Sequence, residues 1–449
     1  MTAPRARSPL GLLALTVFLD IVGFALVLPL LPAMLSHYLS LEGERGLLRG
    51  ILDTLQRASG SQSPANVEAL FGTVLMGLYS VLQFLFAPIW GALSDRKGRR
   101  PVLLWTIGGI TFSYLLWFFS NTFLALLLAR CLGGIMSGNI STASAAVADS
   151  TTPENRSRGM GLIGAAVGLG FTLGPALGAG LHRIDLAETF PALTPLGIHP
   201  FSAAAGGAFL LGLFNWLWVH RRFEETLPPG DRGKPSAGRR TANPVKLLRF
   251  SGPPGVRRAN AVYFIYFTAF AGMESTLTFL AKDRFQYDSR RIMYMFLFIG
   301  LILVFVQGGM IRQLAPVYGE KRLTLAGLLL LVPGFVLTGF AHTDGRLYLG
   351  LALMAFGSAF ITPSMSALVS LYTPASEQGA VLGVFRSLGA LARAVGPFLA
   401  GVLYWRFSSP APYVAAAVLA IGAFLLALGL PAPPGKPAPP VSSSPGPAA

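Results

Sequence analysis

Five ionisable residues stand inside stretches otherwise built from apolar side chains: Asp20, Arg130, Glu274, Arg386 and Arg393. A charge at mid-depth in hydrocarbon costs at least about 2.5–3.5 kcal/mol, so such groups face a protein-lined cavity. Three guanidiniums against two carboxylates leave that cavity cationic. Guanidinium forks take carboxylate, sulfonate or phosphate in bidentate fashion, which makes an organic anion the expected ligand rather than an organic cation. Helical spacing puts Arg130, Gly133, Gly134, Ser137 and Ser141 on one stripe, and Arg386, Gly389, Ala390 and Arg393 on another. Small neighbours beside an arginine leave room for a ligand; they also allow close helix packing. Tyr79 with Gln83, and Tyr263, Tyr266, Phe267 and Phe270, would suit a flat hydrophobic body, with packing or interfacial anchoring as the other reading. The expected ligand-binding set is Arg130, Arg386, Arg393, Gln83 and Tyr79.

Asp20 and Glu274 are the titratable candidates. Desolvation raises a carboxyl pKa and a neighbouring guanidinium lowers it. A carboxyl balanced between the two takes up and releases a proton as its surroundings change. One proton moved down one pH unit supplies about 1.36 kcal/mol, enough for tenfold accumulation. The alternative is an Asp20 held permanently ionised by Arg130.

The elements that must carry these residues are membrane spans. Of 449 residues 53% are hydrophobic and 12% charged, a composition that excludes a disordered chain, a disulfide scaffold and a water-soluble enzyme. Twelve apolar stretches reach the roughly 20 residues a spanning helix needs. They run over about 10–35, 67–93, 101–119, 122–147, 158–181, 201–220, 259–280, 292–314, 323–341, 347–371, 379–403 and 412–430. The first is too long for a cleaved signal peptide and reads as a signal-anchor. The fold expected is all-α: twelve transmembrane helices in two pseudo-symmetric six-helix bundles. The net charge of +16 points to anionic lipid and cytoplasmic loops rather than to nucleic acid. With the N-terminus inside, 22 of the 35 Lys and Arg fall on the inner side, so both termini are expected in the cytosol. The cluster Lys282, Arg284, Arg290 and Arg291 breaks that pattern, and attraction of anions is its one available reading. The single cysteine, Cys131, excludes an intrachain disulfide, and the five histidines are scattered along the chain.

The expected organisation is a first bundle over 1–220, a basic cytosolic linker over 221–258, a second bundle over 259–430, and a disordered Pro-rich cytosolic tail over 431–449. Residues 243–250 read as a capped amphipathic turn on the inner leaflet. A shift of 222 residues carries Gly161 onto Gly383, Gly174-Pro175 onto Gly396-Pro397, and Arg99-Arg100 onto Lys321-Arg322. Duplicated halves with a site between them suit alternating access. Gly91, Asp95, Arg96, Gly98, Arg99 and Arg100 join helices 2 and 3 and, with Asp149, could tie helix ends together in one conformation and release them in another. Gly164, Gly168, Gly174, Pro175 and Gly178 make a packing and pivot surface on helix 5.

These residues resemble the major facilitator superfamily. Residues 91–104 carry its loop signature, G-x-x-x-D-R-x-G-R-R, at every defining position. Asp20 with Pro29 and Pro32 resembles the helix 1 motif of the drug:proton antiporter branch, which includes the tetracycline-resistance proteins. Arg130 with Gly133 and Gly134 resembles the helix 4 motif, whose arginine is implicated in proton coupling. Gly174-Pro175 resembles the helix 5 antiporter motif, although Ala179 stands where a second adjacent glycine is usual. The second copy of the loop signature, around Gly319-Glu320-Lys321-Arg322, is degraded. Residues 263–287 and 385–397 resemble an animal subgroup of the branch, and that likeness implies an organic-anion transporter.

The chain has no GxSxG, HExxH or Walker A sequence, so no catalytic residue, cofactor or metal is expected. The expectation is a monomeric, multi-pass, proton-coupled transporter with a small organic anion and protons as its ligands and membrane lipid as its surroundings. An uncoupled facilitator or exchanger, a drug cation or zwitterion antiporter, and a non-transporting scaffold are the competing readings. Plasma membrane and endomembranes are not distinguished.

Overall fold

A computed structural model describes residues 9–43, 46–59, 64–151, 153–227, 253–373 and 378–432. Among these, twelve helices are long and apolar enough to cross a membrane: α1 Leu10–Glu42, α2 Leu75–Lys97, α3 Arg99–Phe118, α4 Phe123–Asp149, α5 Gly161–Thr189, α6 Ser202–Arg222, α7 Pro254–Phe285, α8 Arg290–Met310, α9 Glu320–Gly339, α10 Asp344–Leu371, α11 Val381–Arg406 and α12 Ala411–Leu428. Two edges show why the bounds differ from the hydropathy reading. Helix α1 runs on to Glu42, through a 3-10 turn at Leu28–Leu30 where Pro29 interrupts the ladder. Helix α7 starts at Pro254, because Pro at a first helical position is pre-shaped for it and the polar 254–258 segment simply extends the span into the interface. The 243–250 turn and most of the 431–449 tail lie outside the described residues.

The helices form two six-helix bundles. In the first, α5 packs on α1, α6 on α3, and α2 and α3 on α4; in the second, α11 packs on α7, α12 on α9, and α9 on α10. Each half carries an analogous contact at the same end, made from neighbouring rather than equivalent repeat positions. Arg100, at the start of α3, donates to the His220 carbonyl at the end of α6 (2.7 Å), while Lys321, at the start of α9, donates to the Leu430 carbonyl beyond α12 (2.6 Å). Each basic side chain satisfies a carbonyl that a helix end leaves orphaned. We call this end of the molecule the basic end.

The halves meet where α2 packs on α11 and α5 on α8. Toward the opposite end the contact is continuous: residues 28–42 of α1 touch α7 and α8, and Lys282 Nζ donates to Ser36 Oγ at 3.3 Å. A side chain at Gly180 would begin 3.6 Å from Met293 Sδ, and one at Gly168 would begin 3.0 Å from Gln307 Oε1. On the same face of α5, two turns nearer the basic end, one at Gly161 would meet nothing within 4 Å.

The glycine run of α5 divides between two faces. Gly170, Gly174 and Gly178 let α1 approach so closely that a Cβ at Gly178 would stand 1.9 Å from the Leu26 carbonyl oxygen. Gly164 and Gly168 lie on a second face, which 3.6-residue periodicity turns toward α11 and α8 of the other half. Gly178→Ala forces backbone against backbone, and we expect it to destabilise the first bundle by about 2 kcal/mol or more, read as a lowered thermal midpoint in detergent.

The isolated basic cluster also acquires a role. Arg284 donates to the Gly339 and Ala341 carbonyls (2.8 and 2.9 Å) and to Ser409 Oγ (2.6 Å), capping the end of α9 against the turn before α12. Within the cluster, Arg284 thus has a helix-end capping role.

Three of the five histidines converge in space. His37, His182 and His199 surround Phe201, and the His37 and His199 ring centroids are 6.4 Å apart. His199, in the loop between α5 and α6, accepts from the Phe201 N–H at Nδ1 (3.2 Å) and donates from Nε2 to the Trp117 carbonyl (2.9 Å), which fixes a neutral tautomer. Burial pulls its pKa from 6.5 down to about 4, with the Trp117 hydrogen bond and Asp185 opposing and His37 adding to the shift. Below 6.5 the unfolded chain takes the proton first while the folded chain refuses it, so stability falls as pH drops from 6.5 through 4, by about 3 kcal/mol in total. In His199→Gln the fall in thermal midpoint across that window should be reduced.

Candidate functional site

The centre of the molecule is organised by a break in α4. The helix stops at Met136 and restarts at Asn139. Trp90 of α2 sits against Gly138, where a Cβ would be 2.5 Å from its own, and its indole Nε1 donates to the Ile135 carbonyl at 2.6 Å. A carbonyl freed at the break thereby regains a partner, which is what permits a broken helix within hydrocarbon depth. The interruption aims two polar side chains inward: Ser137 accepts from Gln83 Nε2 (2.5 Å), and Asn139 Nδ2 donates to Asp20 Oδ1 (3.1 Å).

Asp20 is 8% exposed and Arg130 3%. Among the described residues no cation lies within ion-pair distance of Asp20; Asn139 is its partner, so the Asp20–Arg130 pair is not formed. Arg130 instead stands over the Tyr79 ring (4.6 Å) and the Phe24 ring (5.8 Å), with Nη2 3.5 Å from Met76 Sδ. Gly133 and Gly134 do not leave an opening beside it. Tyr79 fills both positions, and a Cβ at Gly134 would be 2.8 Å from the Tyr79 carbonyl oxygen. In α11, Gly389 is likewise occupied by Tyr263.

From Arg130 an aromatic belt crosses to the other half. Phe24 packs edge-on to Phe171 of α5 (5.9 Å), and Phe171 lies 5.6 Å from the Arg393 guanidinium. Arg393 is also 5.5 Å from Phe267, which stacks on Tyr263, which stacks in turn on Phe385 at 3.9 Å. Tyr79 lies within electrostatic reach of Asp20, Arg130 and Arg393 together. Arg393, 9% exposed, makes no hydrogen bond or ion pair among the described residues. Its electrostatic counterpart is Glu274, half-buried on α7. Arg386, two turns toward the basic end, is half-buried and faces Gly164 across the halves, with Nη2 3.8 Å from where a side chain there would begin. Tyr266 leaves the belt and bonds Ser358 (2.7 Å) and Thr362 (3.1 Å) of α10, a packing role.

The structure thus brings Asp20, Tyr79, Arg130, Glu274, Arg386 and Arg393 to one central region, with Gln83 beside it. Asn139, Phe24 and Phe171 were not among the residues singled out. The Gly138-Asn139 pair inside an apolar run was the available signal for the first; Phe24 and Phe171 look like any span aromatic in the sequence.

At the basic end, Arg99 gathers the loop signature. It donates to Asp149 (2.7 Å) and Ser94 (2.8 Å) and pairs with Asp95 one turn earlier. Gly98 adopts φ +106°, open to glycine, and a Cβ there would stand 2.2 Å from Glu225. Glu225 accepts from the backbone N–H groups of Arg99 and Arg100 (2.8 and 3.2 Å), capping α3 from beyond α6. The sequence reading did not include Glu225. Gly91 is buried, Arg100 half-buried, and Arg96 is exposed away from the cluster.

Comparison with known proteins agrees with this architecture. The family model of the Major Facilitator Superfamily matches residues 13–316 and 313–449. The human major facilitator superfamily domain-containing protein 10 is 39% identical over 421 residues, covering 90% of this chain and 88% of its own length. The crystal structure of the human organic anion transporter MFSD10 (TETRAN) superposes with a TM-score of 0.75 at 37% identity, over 95% of this chain and all of that one. The class B tetracycline resistance protein of Escherichia coli is 29% identical over 390 residues, 86% of each chain. Twelve spans in two matched bundles and a family match along nearly the whole length have one meaning: this chain belongs to the major facilitator superfamily of membrane transporters.

Proposed function

We propose that the protein moves amphipathic organic anions across its membrane by alternating access, coupled to protons. The observation that carries this reading is Arg393: a nine-tenths buried guanidinium at the junction of the halves, set among aromatic rings, with no hydrogen-bond partner among the described residues. A carboxylate takes a guanidinium edge-on, while an aromatic body finds ring faces beside it. The human relative described as an organic anion transporter supports the same ligand class.

Coupling follows from charge. Glu274 and an anionic ligand compete for Arg393, so protonating Glu274 favours anion binding and the anion favours the proton. Proton and anion then move together. The resemblance to drug:proton antiporters supports exchange instead, and an uncoupled facilitator would leave both carboxylates structural. Asp20, held by Asn139, is the second proton candidate, with Arg130 nearby. We assign Asp95, Arg99 and Asp149 to a gate at the basic end, with Gly91, Arg96, Gly98 and Arg100 shaping the turn. The contact between halves at the opposite end supports a conformation closed to that side. The Lys and Arg distribution supports cytosolic termini, with the basic end facing anionic lipid. We take the working unit to be a monomer.

The test is uptake by purified protein in liposomes of labelled naphthoate, uncharged naphthamide and naphthylmethyl-trimethylammonium. Naphthoate should exceed the cation by at least about tenfold, a difference of roughly 1.4 kcal/mol. Uptake of the cation alone would remove the anion reading.

A further inference from the structure

The internal repeat and the contacts between halves coincide at two positions. The shift of 222 residues carries Phe171 of α5 onto Arg393 of α11, and Gly164 onto Arg386. In the structure these same residues face each other across the halves: Phe171 lies 5.6 Å from the Arg393 guanidinium, and a side chain at Gly164 would begin 3.8 Å from Arg386 Nη2. A residue meets its own repeat-equivalent only along a two-fold axis, as in an isologous interface. Both pairs therefore mark the pseudo-two-fold axis of the transporter, and the seven-residue spacing within each helix runs along it. On that axis the second half contributes cations and the first contributes a ring and a gap.

Resting on the organic-anion reading above, we propose that Phe171 is a positioning residue for the ligand: it pins the Arg393 guanidinium on the axis from the opposite half. Arg393 has Phe267 beside it in its own half, at 5.5 Å, and no hydrogen bond among the described residues to fix its orientation. Two ring contacts hold the long side chain by attraction to their faces. The conformational freedom of an arginine is large, so a guanidinium held in place loses less on binding. Rocking of two matched halves displaces residues least where their equivalents meet. A fork pinned there stays poised for the anion whichever side is open, which is what a site served alternately from both sides requires. The electrostatic counterpart Glu274 lies in Arg393's own half, so it cannot supply this cross-half restraint.

The experiment is labelled naphthoate transport by the full-length protein in liposomes, wild type against Phe171→Leu and Phe171→Tyr. Leucine keeps an apolar side chain but removes the ring quadrupole. Phe171→Leu should raise KM for naphthoate about 3- to 30-fold with a maximal rate within about twofold of wild type, and equally in both transport directions. Phe171→Tyr should return KM to near the wild-type value, and naphthamide flux should not change in either variant. A merely structural Phe171 would lower the maximal rate or affect naphthamide alike, and would overturn the proposal. Arg393-dependent naphthoate transport with an unchanged or lower KM in Phe171→Leu would overturn it while leaving the anion reading intact. Naphthoate transport that does not depend on Arg393 would overturn both.

Discussion

Arg393→Ala should lower naphthoate uptake by roughly 30- to 700-fold, about 2–4 kcal/mol. Two terms add up to that loss. A charge-assisted bidentate contact contributes about 1.5–3 kcal/mol. An anion entering the same buried site without its countercharge is then left unpaired, which accounts for the upper part of that range. Arg393→Lys separates charge from shape. The ammonium keeps the attraction but loses the planar fork and the ring contacts to Phe171 and Phe267, so it should recover only part of the activity. Arg290→Ala, on an exposed residue at the opposite end, should behave as wild type. Equal losses in Arg393→Ala and Arg290→Ala would mean that the effect is one of surface charge.

Glu274→Gln should uncouple transport. Wild type should accumulate naphthoate about tenfold for each pH unit imposed, acid on the side of origin, because one proton per anion supplies about 1.36 kcal/mol per unit. In Glu274→Gln the amide can no longer exchange a proton, and Arg393 keeps a neutral neighbour in every state. Downhill naphthoate exchange should continue while the response to the pH gradient disappears. Asp20→Asn should weaken that response less, since its hydrogen bond to Asn139 has no cation at its end. A pH response that persists in both variants would assign the proton elsewhere.

The architecture was legible in the sequence because hydrocarbon enforces it. Length and hydropathy of the spans, the Gly174-Pro175 repeat and the loop signature each reflect a constraint that acts on a single helix or turn. The same logic marked Asp20, Arg130, Glu274, Arg386 and Arg393, since ionisable groups in spans are costly wherever they occur. Pairings between spans at mid-depth were not legible. Asp20 meets Asn139 rather than Arg130 because α4 breaks at Ser137, and nothing in an apolar periodicity announces a break. The small residues beside Arg130 are filled by Tyr79, and Arg284 caps the end of α9. Glu225 reaches the start of α3 from 126 residues away, a contact that only the folded bundle creates.

The position of a bound anion tests all of this most directly. A crystal structure with bromonaphthoate, located by its bromine signal, should place the carboxylate on the Arg393 guanidinium and the ring system among Phe171, Phe267 and Tyr263. Bromine found on the lipid-facing surface or at the Arg284 cap, with the Arg393 side chain still held only by its rings, would contradict it.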